Sequence, residues 1–249
     1  MSTCALFRSD AYLRSCEAQI TEIGPEGIEF DQTVFYPLGG GQAGDRGRLR
    51  TEAGVEIVLS DARKPKRENA TPNDVLHVPE PGQEANLTRL RVGERVVLEI
   101  DWDRRFRHMR FHTATHLLCA IVHELVDGCS ITAEYARLDF AMTDALDRDD
   151  VESRLHGLVA AGHEVTSRWI SDEELLCNPH LVKSMSVKPP LGFGQVRLME
   201  IGNVDLQPCG GTHVRNTAEI GPLNITKIEK KSARTRRITL GFAHASPAA

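Results

Sequence analysis

HTATHLL, residues 112–118, lies within RRFRHMRFHTATHLLCAIVHELV (104–126), and its reading decides the fold. Phe111, Thr115, Leu118, Val122 and Leu125 recur at three-to-four spacing, which predicts a helix over 104–126. Gly128 is its expected stop. On that helix His112 and His116 are four apart and share one face, so both imidazoles can point at one ion. Histidine pairs at this spacing also arise by chance in core helices, so the pair needs support from elsewhere in the chain.

Before this helix the chain reads as strands. IEFDQTVFY alternates and ends at the glycine-dense turn PLGGGQAGDRG. RGRLRTEAGVEIVLSDARK predicts a hairpin with Ala53-Gly54 near its tip, and NDVLHV and RVVLEIDW are further short strands. Short strands at this spacing suggest a small barrel. After the helix, TAEYARLDFAM reads as a strand and DRDDVESRLHGLVAAGHEV as a helix with an acidic first turn. SDEELLCN predicts a short helix with a capping box between Ser171 and Glu174. QVRLMEIG, EIGPLNITKIEKKS and RRITLGFA return to strands. The expected fold is α+β: a β-rich front over residues 1–100 and an α+β back over 101–249.

The 249 residues can bury a core without covalent staples. A hydrophobic share of 41% and a charged share of 26% are those of a globular chain. No long apolar run or leader pattern stands out, so the expectation is a cytoplasmic protein without a membrane span. The six cysteines show no tight pairing pattern and read as reduced thiols. Net charge is −5, yet positive residues cluster at 63–67, 103–110 and 227–237. Each run alone reads as a solvated face; three of them in an acidic chain suggest a polyanion partner.

CGGTH (209–213) supplies the support the histidine pair needs, with Cys209 and His213 four apart in a glycine-containing loop. Thiolate and imidazole suit Zn²⁺, so His112, His116, Cys209 and His213 form a candidate set for one ion per chain. The metalloprotease pattern is absent, because Thr113 stands where its glutamate would be. Four protein ligands describe a closed structural site, whereas a catalytic one keeps a position open; the sequence leaves both readings standing.

FYPLGGGQAGDRG (35–47) lacks the lysine and hydroxyl of a phosphate-binding loop, so no nucleoside triphosphate is expected. It reads either as a tight turn or as backbone packing close to a ligand. In the second reading Gly39, Gly40 and Gly41 line the substrate, and Thr33 and Gln42 supply side-chain hydrogen bonds.

TVFYPLGGGQAGDRG, HMRFHTATHLL and DLQPCGGTHVRNTAEIG, in this order, resemble the AlaX-type free-standing alanyl-tRNA editing proteins of the medium-length type. They also resemble the editing domain of alanyl-tRNA synthetase. The resemblance runs from DAYL to RRITL (236–240), and the usual glycine-rich stretch before the final RRI appears here as KSARTRR. It implies a small N-terminal β-barrel followed by a two-layer α/β editing domain of the threonyl/alanyl-tRNA synthetase type. It implies zinc on His112, His116, Cys209 and His213, and hydrolysis of the ester joining serine, or glycine, to tRNA for alanine.

Thr33 and Gln42 are then candidates for contact with the serine hydroxyl. Arg104, Arg105, Arg107 and Arg110 become candidates for the acceptor end, with Arg104 and Arg107 foremost, and Lys230, Lys231, Arg234, Arg236 and Arg237 for phosphates further along. Three alternatives stay open: editing of another aminoacyl-tRNA, a tRNA-binding module with structural zinc, and a small-ester metallohydrolase.

Overall fold

The computed structural model describes residues 3–243. The chain divides into two compact units, Met1–Gly39 with Ala43–Phe106, and Gly40–Gln42 with Arg107–Ala249.

The first unit is a closed barrel of six strands: β1 (Ser15–Gly24), β2 (Gly27–Phe30), β3 (Gly47–Thr51), β4 (Glu56–Arg63), β5 (Leu76–Pro79) and β6 (Arg95–Ile100). They close in the order β1-β2-β5-β4-β3-β6, all antiparallel. Closure removes exposed edges. Alternation supplies the interior: Ala18 and Ile20, Leu49, Ile57 and Leu59, and Val96, Leu98 and Ile100 are buried. The β3–β4 hairpin turns where expected, with Gly54 at φ +77° and its N–H donated to the Thr51 carbonyl. β1 is the barrel strand that the sequence reading did not single out; exposed polar residues such as Glu17 and Gln19 dilute its pattern.

Arg105 is buried in this unit. Its Nε donates to both Asp45 carboxylate oxygens (3.1 and 2.9 Å), its Nη2 to the Val34 carbonyl (2.6 Å) and its Nη1 to the Ala11 carbonyl (2.9 Å). Arg105 therefore faces no external partner, which corrects its grouping with the tRNA-facing arginines.

Helix α1 runs from Trp102 to Val122, and every residue from 111 to 119 is buried. It ends four residues short of the expectation, at His123 with φ +59°. Gly128 is not its stop but part of strand β7 (Val126–Ile131), which pairs with β8 (Ala136–Ala141). Val126 reads as helical on spacing alone, but ladder pairing with Phe140 claims it.

Helix α2 (Arg148–Ala160) is capped by Asp147, whose carboxylate accepts from the Asp149 and Asp150 N–H groups. The predicted helix extended to Val165; that residue instead opens strand β9 (Val165–Ser171). Helix α3 (Asp172–Cys177) follows, its first turn capped by the Ser171 hydroxyl accepting from Glu174 N–H. Strands β10 (Gln195–Ile201), β11 (Asp205–Pro208), β12 (Leu223–Ser232) and β13 (Thr235–Phe242) complete the unit.

One sheet has the order β12-β13-β8-β7 and the other β9-β10-β11, all neighbours antiparallel. The α+β fold class thus stands, barrel first. Among the described residues no helix is long and apolar enough to cross a membrane.

Candidate metal centre

All four donor residues lie in the second unit. His112 and His116 come from α1, one turn apart. Cys209 and His213 come from the loop that leaves β11. Their ligand atoms lie within 4.8 Å of one another. Cys209 Sγ is 3.4 Å from His112 Nε2 and 3.3 Å from His213 Nε2. Zinc bonds of about 2.0–2.3 Å in a tetrahedron place donors roughly 3.4–3.7 Å apart, so these spacings fit the ion with little closure.

Hydrogen bonds on the far side of each ring decide which nitrogen faces the centre. His112 Nδ1 donates to Gln42 Oε1 at 2.7 Å. That oxygen also accepts the Thr212 N–H (3.1 Å), while Gln42 Nε2 donates to Thr212 Oγ1 (2.9 Å). His116 Nδ1 donates to Asp205 Oδ2 at 2.9 Å. His213 Nδ1 lies 3.1 Å from Thr113 Oγ1, whose own proton goes to the Met109 carbonyl, so the hydroxyl accepts. Each imidazole therefore keeps a proton on Nδ1, which leaves Nε2 to face the centre. Partners of this kind set the tautomer and aim of metal-binding histidines.

The charges agree. Burial works against ionising the Cys209 thiol, but the adjoining His112 and His213 imidazoles hold its pKa well below the ordinary thiol range. Burial likewise opposes the Asp205 carboxylate, yet His116, Lys183 and Gln207 bring it down to about 2. Burial lowers and Asp205 and Cys209 raise the pKa of His116, which ends near 9. Burial and the neighbouring His112 push His213 down to about 3. A buried thiolate beside a buried carboxylate makes a pocket that attracts positive charge, which a divalent cation supplies. The donor set therefore fits a metal ion.

Two features let the loop reach the helix. Arg197 on β10 donates from Nη1 to the Gly211 carbonyl at 2.8 Å. Gly211 itself packs on His112 with no room for a side chain: a Cβ there would overlap the imidazole and come within 3.1 Å of Gln42 Oε1. Gln42 is held from the other direction. The Gly41 carbonyl accepts from Ile131 N–H at 2.7 Å, extending β7 by a bridge, and Gly41 takes φ +84° against Cys129.

The structure thus gathers Gln42 with the four donors. Thr33 belongs to the barrel unit, where its Oγ1 is 2.8 Å from His77 Nε2 and accepts the Phe35 N–H at 3.0 Å. The Gly39 carbonyl accepts from Tyr36 Oη, and Gly40 takes φ +59°. Arg104 is half-buried with its N–H capped by Asp101. Arg107 is exposed, donates to the Ala133 carbonyl and lies 4.6 Å from the Phe242 ring centre. Arg110 covers the same ring at 4.0 Å. In the third basic run, Lys231 and Arg237 pair with Asp139 and Arg236 is buried, while Lys230 and Arg234 are exposed.

Sequence reasoning missed Asp205, Thr113, Thr212 and Lys183. The only signal for Asp205 was an acid four residues before Cys209. Lys183 reaches Asp205 Oδ1 at 2.5 Å from a distant segment.

Residues 196–239 match the domain family described as Threonyl and Alanyl tRNA synthetase second additional domain. Over 95% of its length the chain is 35% identical to Alanyl-tRNA editing protein AlaX-M of Methanosarcina mazei, covering 95% of that protein. It is 32% identical to the AlaX-M protein of Pyrococcus horikoshii, over 92% of each chain. It is also 33% identical to Alanine--tRNA ligase of Metallosphaera sedula over 90% of this chain, which spans 24% of that enzyme. The barrel, the editing-type domain and this end-to-end similarity agree: the chain belongs to the AlaX-M family of alanyl-tRNA editing proteins.

Proposed function

We propose that this chain is a cytoplasmic trans-editing deacylase that cleaves serine, and glycine, from mischarged tRNA for alanine by zinc-dependent ester hydrolysis. The observation that carries the reading is the cluster of three imidazoles, all turned Nε2-inward onto the Cys209 thiolate, in a chain similar along its length to alanyl-tRNA editing proteins. Zinc, when bound there, supplies Lewis acidity, polarising an ester carbonyl or acidifying water.

The protein's own groups do the rest. Gln42, Asp205 and Thr113 hold the Nδ1 protons and so keep the three Nε2 lone pairs aimed. Lys183 balances the carboxylate that orients His116, and Arg197 pins the ligand loop. In this reading residues 101–249 carry the deacylase, and residues 1–100 carry the barrel with the glycine-rich motif. Gly39, Gly40 and Gly41 bring backbone close to substrate, and Arg104 and Arg107 position phosphates.

The decisive assay follows loss of amino acid from seryl- and alanyl-tRNA for alanine, with metal-loaded protein and His116→Ala. Expected are fast loss of serine, slow loss of alanine and a silent variant. Folded, zinc-loaded protein that cleaves neither ester would sink the reading.

Thr33 is the candidate for reading the serine hydroxyl. Its O–H points to His77 Nε2, because His77 Nδ1 is spent on the Ile28 carbonyl at 3.2 Å, and burial holds the His77 pKa down to about 4. Thr33→Val is expected to reduce the serine-over-alanine rate ratio. It should also lower the urea midpoint, since a buried acceptor loses its donor at about 1–3 kcal/mol. A lower midpoint with an unchanged ratio would confine Thr33 to packing.

A further inference from the structure

The chain has two tryptophans. Trp102 is half-buried, stacked on Phe106 at 5.6 Å with Arg14 over its ring. Trp169 is 48% exposed, unusual for the largest apolar side chain. Strand register says what it stands beside. Trp169 on the edge strand β9 is directly opposite Arg197 on β10, and Ser167 is opposite Met199. Met199 in turn is opposite Gln207 on β11, and Ile201 opposite Asp205. Side chains alternate, so Trp169, Arg197, Met199, Gln207 and Asp205 share one face of this sheet.

That face leads to the metal centre. Asp205 orients His116, Gln207 donates to Asp205 (2.8 Å), and Arg197 holds the Gly211 carbonyl. It is buried along its inner strands, at 4% for Asp205 and 3% for Met199, and opens to solvent at Trp169. The opposite face is closed by Ile170, Val196 and Leu198 packed with Leu175. An indole at the open rim, one cross-strand step from the arginine that pins the ligand loop, is a flat apolar surface on the face that carries the loop's anchor; Arg197 itself is buried and donates to the Gly211 carbonyl. A ring of that kind holds an unpaired nucleotide by stacking on its base face.

We infer that Trp169 is a stacking platform for an unpaired base at the 3′ end of the tRNA, holding the aminoacylated terminus at the His112–His116–Cys209–His213 centre. The inference rests on the tRNA reading proposed above. Stacking of one base ordinarily changes affinity by about tenfold or more when the ring is removed.

The test uses the full chain with Trp102→Phe, so that Trp169 is its remaining indole. Its fluorescence is titrated with uncharged tRNA for alanine, and with the same tRNA lacking its unpaired 3′ nucleotides. Quenching by the intact tRNA that disappears with the truncated one is expected; equal quenching by both, or by neither, overturns the proposal. No turnover is needed, so this result stands apart from the deacylase assay.

In that assay, Trp169→Ala should raise KM for seryl-tRNA about tenfold with kcat little changed, and Trp169→Phe should restore most of it. Variants that both keep wild-type KM, or that lose kcat and melting temperature together, would assign Trp169 to packing.

Discussion

Gly211→Ala is expected to strip the proposed metal ion from this protein and silence the proposed deacylase while leaving the fold intact. The backbone at Gly211 takes no unusual angle; what the position lacks is space. A methyl group there would enter the His112 imidazole and crowd Gln42 Oε1, the atom that fixes the ring. His112 is bounded by the buried α1 helix, so it has nowhere to retreat, and the loop carrying Cys209 and His213 must lift instead. Lifting moves two donors away from the two on the helix. Disturbing a single orienting partner of a metal ligand typically reduces metal affinity about 10–100-fold, and this change disturbs a ligand together with its partner. Metal analysis after dialysis should fall from the proposed one zinc per chain toward none, with at least about a hundredfold loss of the proposed seryl-tRNA deacylation. Far-ultraviolet circular dichroism should match the parent, because Gly211 lies outside the strands and helices. A variant that keeps its zinc and its rate would show that the loop does not close on His112 as described.

Arg105→Ala should be the most destabilising single change in the barrel unit. Both partners are out of water, with side chains 0% and 1% exposed for Arg105 and Asp45. Asp45 also accepts the Tyr36 N–H at 2.6 Å, and Arg105 serves the Val34 and Ala11 carbonyls. One guanidinium therefore joins the glycine-rich segment, the residues that precede it and the N-terminal chain. Its loss leaves a buried carboxylate unpaired and two carbonyls without a donor. Breaking a buried pair from one side costs about 3–5 kcal/mol. Urea unfolding should show that drop in stability. Arg105→Met combined with Asp45→Leu should recover part of it, because no lone charge then remains buried, although the backbone groups stay unmatched. A loss below about 1 kcal/mol for the single variant would mean that water reaches Asp45.

The elements that local pattern determines were legible. The β3–β4 hairpin, the histidine-bearing helix and the Ser171 cap follow from periodicity and turn chemistry within a few residues, and the structure has all three. Residues whose state depends on distant partners were read wrongly. Val126 and Val165 look helical in their windows, but each is claimed by a strand that lies elsewhere in the chain. Arg105 looked like its exposed neighbour Arg107, because nothing local distinguishes a guanidinium that meets Asp45 from one that meets solvent.

The candidate site divides the same way. By itself the sequence named the candidate donor set, because i, i+4 spacing on a helix and a short glycine loop each bring two side chains together without outside help. It also determined that a glycine-rich segment accompanies them. Only the tertiary structure decided how the donors are aimed. Gln42, Thr113 and Asp205 are 70, 100 and 89 residues from the rings they hold. A hydrogen bond across such a separation leaves no periodic trace, since it depends on where the sheets and the helix place the two ends.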